Sequence, residues 1–95
     1  GTYYLDTEHG RAKMRVEGKK FIVEKGSPCQ PCEKDWMPEA RRSAVIENGI
    51  LQKDVPCNSP STAGWVVLGR ANNGWSVWRN SAGKPIDVYR THTES

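Results

Sequence analysis

Between Ser59 and Trp78 the chain carries its start and stop signals so close together that little freedom is left in how that stretch can fold. Ser59 offers a side-chain oxygen to the orphan N–H groups of a helix's first turn, and Pro60 suits the first helical position, where a missing N–H costs nothing. Gly69 is the residue type that enters the left-handed region at a helix C-terminus. The pattern therefore predicts a short helix over residues 59–69, buried on one side through Ala63, Val66 and Val67. Asn72-Asn73-Gly74 predicts a turn, and the run Trp75-Ser76-Val77-Trp78-Arg79 has the aromatic and β-branched content of a strand. Alternation along such a strand puts Trp75 and Val77 in the core and leaves Trp78 available to a ligand.

The N-terminal third reads as antiparallel sheet. In Arg11-Ala12-Lys13-Met14-Arg15-Val16 apolar and basic side chains alternate, Glu17-Gly18-Lys19 is a turn, and Phe21-Ile22-Val23 returns, so residues 11–25 are a predicted hairpin. Tyr3, Tyr4 and Leu5 add an edge strand. Gly26-Ser27-Pro28 ends the sheet, and Cys29 to Asp35 reads as an irregular loop. A first helix is predicted over residues 38–48, with Pro38 in its first turn, Ala40, Ala44 and Val45 on one face, and Asn48-Gly49 as its stop. Ile50-Leu51 is a short buried step, and Lys53, Asp54 and Pro56 form a polar connection. After a turn over Asn80 to Gly83, Pro85 to Arg90 run back as a last strand. The expected fold is α+β: an antiparallel sheet formed by an N-terminal hairpin and a C-terminal strand pair, packed with two short helices.

A chain of 95 residues supports one modest core and a single domain over residues 1–95, with a flexible tail at 91–95. An apolar fraction of 36% and a mean hydropathy of -0.74 place it at the polar end of globular chains. No apolar run approaches a membrane span, so a soluble, cytoplasmic monomer is expected, and the Gly1 start suggests a piece of a longer protein. The odd cysteine count without a secretory signal argues for reduced thiols. A net charge of +3 tolerates a polyanionic partner without demanding one.

Ser59-Pro60-Ser61, Val66-Val67-Leu68-Gly69-Arg70 and Asn73-Gly74-Trp75 followed by Trp78 resemble the signature of the domain-of-unknown-function family DUF4357. Ala12, Gly18, Phe21, Val23 and Gly26-Ser27 are similar to the same family's N-terminal hairpin, and the resemblance covers about residues 3–88. It implies a small accessory domain at the end of larger bacterial proteins, including GIY-YIG-type nucleases and restriction-modification proteins. The Ser59 to Trp78 segment is also similar to the RAMA domain of restriction enzymes and adenine methylases, for which DNA recognition has been proposed. The cysteine loop and Trp65 depart from the pattern.

For DNA binding the candidates are Arg70, Trp78, Arg79, Lys84 and Arg90 near the motif, Arg41 and Arg42 on the first helix, and Lys13 and Arg15 on the hairpin. Guanidinium groups contact phosphates, and an exposed tryptophan stacks on bases; solvated surface charge is the plainer reading of the same residues. Cys29 and Cys32 have the spacing of half a zinc site, which Cys57, His9 or His92 would have to complete. The same pair is a weak match to a redox Cys-x-x-Cys, whose βαβ surroundings are missing. No pairing of base, nucleophile or carboxylates points to an enzyme, and no cofactor is implied. The other class is a protein-interaction or structural module docking on a neighbouring nuclease or methylase domain through Trp78, Trp36 and Tyr89.

Overall fold

A computed structural model describes residues 1–32 and 35–86. Its centre is a four-stranded antiparallel sheet in the order β1-β2-β3-β6, formed by β1 (Thr2–Thr7), β2 (Gly10–Glu17), β3 (Lys20–Val23) and β6 (Val55–Cys57). The period-two pattern of β2 does what alternation requires: Ala12 and Met14 are buried, while Arg11 and Lys13 face solvent. The register pairs Leu5 with Ala12, Tyr3 with Met14 and Val16 with Phe21 on the core face. Tyr4 opposite Lys13 and Asp6 opposite Arg11 fall on the wet face.

The helix α2 (Pro60–Leu68) covers the core face with Ala63, Val66 and Val67, none of them exposed. Its ends are as the sequence predicts. Thr62 N–H donates to Ser59 Oγ at 3.1 Å, and Gly69 closes the helix at φ 67° and ψ 24°. The α+β architecture and the N-terminal hairpin with its edge strand are thus observed.

Three local readings differ. The helix expected over 38–48 is one turn, α1 (Glu39–Arg42), and the stop signal Asn48-Gly49 serves instead as the turn between β4 (Ile46–Glu47) and β5 (Ile50–Leu51). Both residues take positive φ, 55° and 76°, which is the geometry a two-residue hairpin demands. The polar connection contains β6, with Pro56 in an edge strand where its missing N–H faces no partner strand. Lastly, the strand expected over 75–79 is the short helix α3 (Gly74–Val77). Tertiary anchoring decides its form, as described below, and the C-terminal strand pair is reduced to single bridges from Arg79 to Tyr4 and to Pro85. The rest of the expected last strand, residues 87–90, and the tail lie outside the described residues. No helix among those described is long and apolar enough to cross a membrane.

Candidate nucleic-acid interface

The signature segment folds as a clamp between the starts of α2 and α3. Gly74 N–H donates to Ser61 Oγ at 3.1 Å, Asn72 Nδ2 donates to Ser61 O at 3.2 Å, and Trp78 Nε1–H donates to Pro60 O at 3.0 Å. Gly74 lies so close to α2 that a Cβ there would overlap the Pro60–Ser61 backbone. Gly64 is similarly pressed against the Asn72 carboxamide. Asn72 Nδ2 also reaches Arg70 O at 3.1 Å, which fixes the amide's orientation and leaves Oδ1 buried, without a hydrogen-bond donor among the described residues. Trp78 is completely buried, correcting the expectation that it is available for stacking; Trp75, in edge contact with Phe21 at 6.0 Å, is the partly exposed one. A helix rather than a strand at 74–77 changes which side chain turns inward, and the indole N–H needs the carbonyl that Pro60 offers.

The clamp aims two arginines. Arg70 emerges directly after the Gly69 cap, and Arg79 follows Trp78 into a bridge in which it exchanges both backbone hydrogen bonds with Tyr4, at 2.6 and 2.9 Å. Arg70 and Arg79 line an open cleft of about 590 Å³ at the β1 edge of the sheet, together with Tyr4, Asp6, Arg11 and Ser76. Arg11 lies over the Tyr4 ring, its guanidinium carbon 5.3 Å from the centroid, and Nε donates to Asp6 Oδ1 at 2.7 Å. That carboxylate raises the Arg11 pKa further, first through the hydrogen bond and then through its charge. Arg79 Nη1 donates to Gly83 O at 2.9 Å, tying the guanidinium to the Asn80–Gly83 turn. The cleft therefore presents three guanidinium groups and an aromatic ring against one carboxylate. Tyr4 and Arg11 were not among the sequence candidates. The signal for them was the register: an edge strand folded back at Glu8-His9 sets Asp6 against Arg11 and Tyr4 beside them.

The remaining candidates separate. Arg41 is a structural strut: Nη1 donates to Val66 O at 2.6 Å and Nη2 to Gln30 O at 2.8 Å, while Gln30 N–H takes Val67 O at 2.7 Å. Together they satisfy C-terminal carbonyls of α2, where a cation is favoured by the helix dipole. Arg42 is exposed on α1, which packs on α2 and β6, at the sheet edge opposite the cleft. Arg15 is ion-paired to Glu17, to Asp54 at 3.1 Å and to Glu24 at 3.7 Å, and offers little charge to a ligand. Lys13 and Lys84 are exposed, and Arg90 lies outside the described residues. Trp36 is 67% exposed and rests edge-on against Trp65 at 5.6 Å, whereas Tyr89 lies outside the described residues.

The cysteines do not assemble. Cys29 and Cys57 are buried, with Sγ of each 3.7 Å from a carbonyl two residues earlier, and Cys32 is half-buried. Burial raises the Cys29 thiol and pushes Cys57 up to about 12, the reverse of what a reactive thiolate requires. Among the described residues no group of three or more histidine, cysteine or acidic side chains is placed to hold a metal ion. His9 is exposed in the β1–β2 turn, and His92 lies outside the described residues.

Fold and site together define a small α+β domain with a basic cleft at one sheet edge and a helix clamp behind it. The family model of a domain of unknown function, DUF4357, matches residues 3–90, and the chain belongs to that family. No curated protein and no solved structure matched the chain.

Proposed function

We propose that the domain is a non-catalytic accessory module that binds nucleic acid, DNA in the first place, through the cleft at the β1 edge. The observation that carries this reading is the convergence of Arg11, Arg70 and Arg79 on one hollow with Tyr4, against the single carboxylate of Asp6. Guanidinium groups meet phosphates bidentately, and an aromatic wall accepts a base. The resemblance to accessory domains of GIY-YIG nucleases and to the RAMA domain supports a place in a DNA-processing or restriction-type protein of the bacterial cytoplasm.

Fluorescence anisotropy with labelled oligonucleotides at about 50 mM salt tests it. Three phosphate contacts predict a log–log salt slope of about −2 to −3, and Arg70→Ala with Arg79→Ala should remove most of that slope. Affinity that ignores salt, or survives both substitutions, would refute phosphate binding at this cleft. A protein-docking role is favoured by a different observation, the exposed Trp36 on Trp65. Loss of a neighbouring domain's binding on Trp36→Ala, with nucleic-acid affinity at background, would select it.

A further inference from the structure

A second hollow, of about 340 Å³, lies beyond the C-terminus of α2 and is lined by Glu8, His9, Gln30, Pro31, Gly69 and Arg70. Leu68 and Arg70 line both hollows, so the two adjoin, with Arg70 between them. We infer that the groove formed by these adjoining hollows takes single-stranded nucleic acid rather than duplex, with a base stacked at Tyr4 and Arg11 and the backbone crossing Arg70. The inference rests on the nucleic-acid reading of the same cleft and sharpens it.

Three observations carry it. Duplex is read by elements that protrude, a helix or ribbon entering the major groove, whereas here the cations line a concavity. No helix among those described enters it by an N-terminus: α2 arrives by its C-terminal end, through Leu68 and the Gly69 cap, and α3 by Ser76 and Val77, beside the strands β1 and β2. Arg41 and Gln30 already satisfy carbonyls at the end of α2, so the exposed Arg70, directly after the cap, is left to meet the backbone. Finally, the half-buried Tyr4 ring and the guanidinium above it form a flat, electron-rich and cationic pair inside the hollow. A base still paired and stacked in a duplex cannot reach such a surface, whereas an unstacked one can.

Anisotropy with a labelled 12-nucleotide single strand and with the same sequence as duplex, both at low salt, tests the inference. The single strand should bind at least about tenfold tighter, a preference of the size one stacked base supplies. Tyr4→Leu should weaken single-strand binding by about tenfold and leave the salt slope unchanged, whereas Arg70→Gln should reduce the slope by about 0.7. If Tyr4→Leu lowers the melting temperature, Arg11→Gln serves in its place and should lower both affinity and slope. Equal or tighter duplex binding would overturn strand selectivity while leaving the polyanion reading intact. Failure of both probes to bind would remove both. Unchanged affinity in a folded Tyr4→Leu would overturn the stacking site.

Discussion

Gly64 and Asn72 form a pair whose exchange can be worked out in advance. A Cβ at Gly64 would overlap Asn72 Oδ1 and stand 2.6 Å from Cγ and 2.8 Å from Nδ2, so the three atoms nearest to it all belong to one carboxamide. The carboxamide cannot step aside freely, because Nδ2 is held by Ser61 O and Arg70 O. Gly64→Ala should gain about 1 kcal/mol of helix propensity and lose two hydrogen bonds of about 1 kcal/mol each. About 1–3 kcal/mol of overpacking adds to the loss, for a net destabilisation of about 2–4 kcal/mol. Asn72→Ala loses the same two bonds but also removes a buried oxygen without a donor, so its net cost is about 1 kcal/mol.

In the double variant the overlap is gone, the bonds are lost once rather than twice, and the propensity gain survives. It should lie within about 1 kcal/mol of the parent, although the single changes add to about 3–5 kcal/mol, a coupling of at least about 3 kcal/mol. Urea denaturation followed by tryptophan fluorescence, with unchanged m-values as the control for two-state behaviour, measures all four corners. Additivity within about 0.5 kcal/mol would show that Asn72 is not what makes position 64 a glycine.

Trp78→Phe should cost about 2–3 kcal/mol, because it breaks the bond to Pro60 O and leaves a void in a fully buried site. Circular dichroism melts check the loss, and unchanged anisotropy below the melt would separate this residue from ligand contact. The thiols give a pH test. Cys57 is held protonated in the fold up to about 12, above its ordinary 9.0, so its stabilising contribution is complete below about pH 9 and declines as pH rises toward 12. The decline expected from Cys57 is about 1.4 kcal/mol per pH unit in the unfolding free energy from urea denaturation, and Cys57→Ala should make the slope shallower by that amount. An unchanged slope in that variant would contradict the assigned burial.

How much was legible in the sequence follows from how local each determinant is. The ends of α2 were readable because Ser59, Pro60 and Gly69 act on backbone within one turn of themselves. The hairpin was readable because alternation in β2 is a strict period. Asn48-Gly49 is ambiguous in sequence because positive φ suits both a helix stop and a hairpin turn, and the pairing of Ile46 with Leu51 decides between them from outside the segment. α3 was misread for a related reason. Trp75, Val77 and Trp78 have strand propensity, and Ser61 and Pro60, more than ten residues away, hold the segment as a helical turn. The site was half legible: Arg70 and Arg79 are near in sequence, whereas Tyr4 and Arg11 join them only through the β1–β2 register.

These two classes of residue explain why the family signature meets the site only at Leu68 and Arg70. Ser61, Gly64, Asn72, Gly74 and Trp78 spend their side-chain polar atoms and their small size mainly within the clamp: Ser61 holds Asn72 and Gly74, Trp78 holds Pro60, and no Cβ can be added at either glycine without moving it. None of these residues can change alone, which is a requirement of folding and involves no ligand. Their output is positional. The clamp sets the path from the Gly69 cap to the Arg79 bridge, and so delivers two guanidinium groups to the β1 edge. Arg70 and Arg79 are exposed, and the chain path there is fixed by other residues, so the side chain at either position can vary while the frame stays intact. Ligand choice within this fold should therefore follow the residues at 4, 11, 70 and 79 and not the buried clamp, and grafting those four positions between family members should transfer binding preference in the anisotropy assay.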